Sequence, residues 1–168
     1  MTPVSQWLIV RKYLLLALPS DQILDQYAYK PTGSTTSALI ATIHHISRLE
    51  SSSYVRCIFI DYSKAVDTVN NAILFQKLQL LPIPPNVLLW IINFLSCRTQ
   101  AVSSCGQTSG WLPVSQSFIQ GSGIGPYLFL LYASDLQTLS PYNVIIKYAD
   151  DTTLLVGQHS SVDIQVSK

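Results

Sequence analysis

Charge is scarce in this sequence. Asp, Glu, Lys and Arg make up 11% of the 168 residues while apolar residues make up 48%; typical soluble domains carry roughly 25% charge. So little charge cannot cover a surface, and apolar patches are expected to be exposed or to face segments that normally cover them. The formal net charge of +1 excludes a global field for a polyanion. Any nucleic-acid contact must therefore come from local clustering of the 10 Lys and Arg. Cysteine is also sparse. Cys57, Cys97 and Cys105 show no zinc spacing, and an odd count without a secretory signal reads as reduced thiols in an intracellular protein. No apolar run has bilayer length, since residues 7–18 are interrupted by Arg11-Lys12 and residues 87–95 and 127–133 fall short. No basic segment precedes the first run, which argues against a signal peptide. Repeats, linkers and low-complexity segments are missing too, and the length fits one domain, or one complete subdomain, with a real core.

Glycine is missing where it is most expected. Residues 144–148 and 152–156 each have strand length and β-branched composition, so Ala149-Asp150-Asp151 must make the reversal of a β-hairpin. Tight hairpin turns favour glycine because the preferred types need positive φ. A local rule broken without structural gain is expected mainly at functional sites. Two adjacent carboxylates on an apolar hairpin repel unless a cation lies between them and a third ligand. Taken alone, Asp-Asp reads more simply as a polar turn.

Residues 7–18 read as a short helix ended by Pro19. Leu39, Ile43, Ile46 and Leu49 recur at helical spacing and predict a core-facing stripe over residues 35–49, started by Ser34-Thr35-Thr36. His44 and His45 beside it receive no role. Residues 54–60 predict a strand ending at Asp61. Val66, Val69 and Ile73 predict a helix running to about Leu81, capped by Asp67. A second helix is expected over residues 87–96. Residues 100–105 and 111–118 read as a hairpin, and Gln120-Gly121-Ser122-Gly123-Ile124-Gly125-Pro126 as a glycine-rich turn feeding a helix to about Leu136, with Pro126 in its first turn. A frayed polar tail follows Val156. The order predicts an α+β fold, a mainly antiparallel sheet with helices packed on one face.

Three stretches carry the chemistry: Phe59-Ile60-Asp61-Tyr62-Ser63-Lys64-Ala65-Val66-Asp67, the glycine-rich turn from Gln120 to Pro126, and Tyr148-Ala149-Asp150-Asp151. In that order they resemble the three core palm motifs of reverse transcriptases of non-LTR (LINE-type) retrotransposons. The connecting segments match as well, including residues 27–36, 95–100 and 128–136, so the resemblance covers nearly the whole chain. The glycine spacing does not suit a dinucleotide site, and no Walker lysine follows.

The resemblance implies a polymerase palm with part of the fingers and no thumb: about 1–53 fingers, about 54–156 palm core, 157–168 tail. It implies a truncated copy without an endonuclease domain. It further implies RNA-directed DNA polymerisation with two Mg²⁺, or Mn²⁺ in their place, held by Asp61, Asp150, Asp151 and the backbone carbonyl of Tyr62. Val66, Gln120, Gly121 and Ser122 would meet the incoming nucleotide. Lys30, Lys64, Arg98 and Lys147 are the candidate phosphate contacts. Partners would be an RNA template, a DNA primer and dNTPs, with no membrane, and the expected location is the nucleus. One departure stands out: Val66 occupies the position where the family usually has an aromatic residue that excludes the ribose 2′-hydroxyl. A remnant that keeps the fold without polymerising, or a group II intron-type enzyme, would carry the same motifs.

Overall fold

The computed structural model describes residues 3–49, 54–114, 116–119, 121–158, 160 and 165–166. In chain order the elements are α1 (Pro3–Ile9), continued through a π-helical turn (Val10–Leu14) into α2 (Leu15–Ala17), then α3 (Thr35–Leu49), β1 (Val55–Ile60), α4 (Asn71–Gln79) and α5 (Pro85–Leu95). There follow β2 (Arg98–Gln100), β3 (Ser103–Ser104), β4 (Gln107–Thr108), β5 (Leu112–Val114), α6 (Gly125–Tyr132), β6 (Leu136–Gln137), β7 (Val144–Tyr148), β8 (Asp151–Gly157) and β9 (Gln165–Val166). They form two compact units that are each discontinuous in sequence: residues 1–18 with 66–128, and residues 19–65 with 129–168.

The second unit is built on a three-stranded antiparallel sheet in the order β1, β8, β7. Its central strand is buried at Thr152 and from Leu154 to Gly157. Burial on both faces explains why that segment reads as a continuous apolar run rather than an alternation. α3 packs on β7 and β8, and its first turn is capped by Ser34, whose Oγ accepts from the Ser37 amide at 3.0 Å. The expected core stripe on this helix is corrected. Leu39, Ile40 and Ile43 are each about 60% exposed, Ile46 and Leu49 are half-buried and no α3 residue is fully buried, so the stripe is only partly covered. The tail is not wholly frayed, since β9 pairs antiparallel with β6.

In the first unit, Val69, Leu74, Leu78, Val87, Ile91 and Leu95 are buried, and α4 packs on α5. α4 starts later than expected. Residues 63–68 form turns, and the cap is Asn70, whose side chain accepts from the Ala72 amide at 2.9 Å, rather than Asp67. An amide side chain satisfies an orphan N–H as well as a carboxylate does, so the spacing of Val66 and Val69 misleads. The expected hairpin is present but nested: β2 pairs with β5, and inside it β3 pairs with β4. Its tip is Cys105-Gly106, both at positive φ (50° and 77°), the pattern of a type I′ turn.

Candidate active site

The second unit brings the motif carboxylates to one end of its sheet through strand register. Asp61 is the first residue after β1, whose last pair is Ile60 with Thr152. β7 and β8 close with Tyr148 opposite Asp151. Asp151 therefore opens the central strand, Tyr148 lies beside it on one flank, and one further step along β1 reaches Asp61 on the other. Asp150 is at the tip, half-buried, whereas Asp61 and Asp151 are exposed.

The turn joining β7 to β8 is two residues long, Ala149-Asp150, one shorter than expected. Ala149 has φ 58° and Asp150 is not in the positive region. Positive φ at the first loop position alone is the type II′ pattern, normally filled by glycine. The missing glycine thus has a direct structural counterpart, a non-glycine residue held in the left-handed region. Its peptide is engaged by Gln26, 2% exposed. Its Nε2 donates to the Ala149 carbonyl (3.2 Å), and its Oε1 accepts from the amides of Ala149 (2.9 Å) and Ala28 (3.0 Å). The Gln26 segment also pairs with β7: the Tyr27 amide donates to the Lys147 carbonyl (2.8 Å) and the Lys147 amide to the Asp25 carbonyl (2.7 Å).

Two tyrosines flank the acids. Tyr62 follows Asp61; its carbonyl accepts from the Ala65 amide at 3.1 Å, which leaves one lone pair for another partner. Burial pushes its phenol up, partly offset by a side-chain hydrogen bond with Thr152. Tyr29, itself at φ 60°, has its phenol raised by burial and then by the negative charge of Asp150 and by Tyr148. Sequence reasoning gave neither Gln26 nor Tyr29 a role. The only available signal was the position of both inside or beside the resembling segment 27–36.

Among the described residues, no group of three or more His, Cys, Asp or Glu side chains is arranged to hold a metal ion. The backbone gathers the acids; their side chains do not converge as they stand. The donor set itself is all carboxylate and carbonyl oxygen, the ligand type hard divalent cations take. Asp61 and Asp151 are exposed, so packing does not fix their rotamers.

The family profile "Reverse transcriptase (RNA-dependent DNA polymerase)" matches residues 9–168. This chain belongs to the reverse transcriptase family. It is 31% identical over 143 residues to the RNA-directed DNA polymerase from mobile element jockey of Drosophila melanogaster, covering 80% of this chain and 16% of that protein. The resemblance to the retrotransposon class drawn from the motifs stands with that match. A solved structure of apo telomerase from Candida tropicalis, truncated from its C-terminal domain, matches with a TM-score of 0.59 at 14% identity, over 90% of this chain and 36% of that one. The shared fold is the partial polymerase palm with its antiparallel sheet. Reverse transcriptases generally use divalent metals and act on nucleic acid template and primer.

The remaining residues that the motifs nominated fall into two groups. Gly121, Ser122 and Val66 belong to the first unit, and Gln120 lies outside the described residues. Gly121 is exposed at φ 79°. Ser122 ties the turn to α6, its Oγ accepting from the Gly125 amide at 3.1 Å, and Gln6 Oε1 accepts from the Gly123 amide at 2.8 Å. Val66 is half-buried in the turn that ends the first motif.

The cations need correction. Lys147 is 1% exposed, and its ammonium bonds Asp25 Oδ2 (3.0 Å) and the carbonyls of Leu136 (3.0 Å) and Ala133 (3.2 Å). All three donors are spent, so this lysine braces the sheet instead of meeting a phosphate. It escaped notice because β7 is buried on both faces, and a lysine there must find internal partners. Lys30 donates to the Ile23 carbonyl at 2.8 Å and lies over the Tyr27 ring, with its ammonium lowered chiefly by burial. Arg98 donates to the carbonyls of Leu95, Gln116 and Ser117, and burial lowers its guanidinium. Lys64 is exposed, at φ 56°.

Proposed function

We propose that this chain carries the carboxylate-bearing part of an RNA-directed DNA polymerase that extends a DNA primer on an RNA template with dNTPs. The single observation that supports this most is the strand register, in which Asp61 follows the pair Ile60–Thr152 and Asp151 opens the same central strand beside the Asp150 turn. Asp61 and Asp150 would hold two Mg²⁺ or Mn²⁺ ions, with Asp151 and the Tyr62 carbonyl as further oxygen ligands. When bound, the ions would activate the primer 3′-oxygen and neutralise the leaving pyrophosphate. The exposed positions of Asp61 and Asp151 leave those carboxylates able to turn toward a cation. Gly121, with no side chain, lets backbone approach a flat base pair, and Gln120, Ser122 and Val66 would border the incoming nucleotide. Lys64, with any N–H left on Lys30 and Arg98, would meet backbone phosphates. The compartment that fits this activity is the nucleus.

Primer extension on an RNA template with Mg²⁺, comparing wild type with Asp150→Asn, tests the reading. Extension by wild type and none by the variant is the expected result. No extension by either protein would favour a remnant that keeps the fold without the chemistry.

A further inference from the structure

We propose that Gln26 is a positioning residue for the catalytic hairpin: its buried amide side chain acts as a surrogate peptide group that holds Ala149 in the left-handed conformation and so fixes where Asp150 and Asp151 emerge. Three observations converge. Ala149 has φ 58°, a conformation that a residue bearing a Cβ avoids when nothing holds it. Both polar atoms of its peptide are engaged by one side chain, the carbonyl by Nε2 of Gln26 and the amide by Oε1. That side chain is anchored in turn, because Oε1 also accepts from the Ala28 amide, Gln26 bridges to Lys147 of β7, and the side chain is almost fully buried. A rotatable side chain would hold a turn loosely; one packed and bonded at both ends of its amide holds it in one geometry.

Glycine at this position would reach the same φ without help. The sequence instead combines alanine with an external clamp, which leaves fewer alternative turn conformations than glycine would. The link also makes the hairpin tip depend on the segment around residue 26, far away in sequence.

The consequence for catalysis rests on the polymerase reading, but the clamp itself is tested without it. Amide hydrogen exchange of the full chain is followed at Ala149 and, as an internal reference, at Leu154 in the middle of β8. In Gln26→Met, exchange at Ala149 should quicken at least tenfold relative to Leu154. Adding Ala149→Gly to that variant should restore a defined turn, seen as recovery of the Asp151 amide protection. Gln26→Glu keeps the acceptor atoms but sets a carboxylate oxygen against the Ala149 carbonyl where the donor was, so it too should quicken exchange at Ala149 relative to Leu154. In primer extension, Gln26→Met should lower kcat at least tenfold with KM for dNTP within twofold, and the double variant should regain most of it. Equal acceleration of Ala149 and Leu154 would mark Gln26 as a general stabiliser and overturn the proposal, as would unchanged exchange at Ala149. Selective loss at Ala149 in a chain that never extends a primer would leave the clamp standing and sink the polymerase reading instead.

Discussion

At the residue scale, Ala149 and Val66 carry the most pointed expectations. A left-handed alanine costs about 1–2 kcal/mol, and glycine there would return part of this through its greater freedom in the unfolded chain. Ala149→Gly alone is therefore expected to stabilise the protein by about 0.5–1 kcal/mol in urea unfolding. Val66 is smaller than the aromatic side chain the family usually places at the sugar gate. If the chain polymerises, it should discriminate weakly against ribonucleotides, and Val66→Phe should raise the dNTP over rNTP preference. Equal discrimination by the two proteins in incorporation assays would remove the gate from this position. Gly33 illustrates a different residue-scale constraint. A Cβ there would lie 2.1 Å from the Tyr27 carbonyl oxygen, so Gly33→Ala should cost about 1–3 kcal/mol as backbone is pushed aside.

At the element scale, β7 and the segment preceding α3 behave as one piece. The Lys147–Asp25 pair joins them at 3.0 Å in surroundings where Lys147 is almost wholly enclosed. Removing one partner strands the other, so Lys147→Met should destabilise the fold by about 3 kcal/mol. Asp25 also gives a pH signature. Burial raises its carboxyl above the ordinary 3.8 despite the attraction of Lys147, and its Oδ1 has no hydrogen-bond partner among the described residues. A carboxyl whose folded pKa is raised binds its proton more tightly in the native state. Its stabilising contribution is thus complete below about 3.8 and is lost as pH rises through the higher folded value. Unfolding free energy followed upward from pH 3.8 should show this decline in wild type, and Asp25→Asn should flatten it. α3 offers a contrast: Leu39 and Ile43 lie on its exposed side, so replacing either with Ser should change stability by no more than about 0.5 kcal/mol.

At the scale of the whole molecule, the shortage of charge acquires a sharper meaning. Lys147 is enclosed, and Arg98 and Lys30 already serve main-chain carbonyls, so few of the nominated cations are left to meet a polyanion. If the chain binds a primer–template duplex, that binding should weaken only modestly with salt. Each phosphate contact contributes about 0.9 to the slope of log affinity against log salt. Lys64→Met should lower that slope by about this amount, and Arg98→Met by much less. An unchanged slope in Lys64→Met would show that the phosphates are met elsewhere. The apolar surplus is visible too, in Phe59 on β1 (78% exposed) and Trp111 beside β5 (70% exposed), as the composition led one to expect.

By itself the sequence determined the class of fold and the family, because strand composition, the order of three motifs and the absence of a turn glycine are all local and survive without coordinates. It placed β1, β7, α3 and α5 to within a few residues for the same reason. Side-chain fate was decided by tertiary structure. Periodicity marked the α3 stripe as apolar but could not say which face the sheet would cover, and a lysine in a strand looks the same whether it meets solvent or an aspartate more than a hundred residues away. The clamp on Ala149 was equally hidden, since a hydrogen bond between positions 26 and 149 exists only once the chain has brought those distant segments side by side.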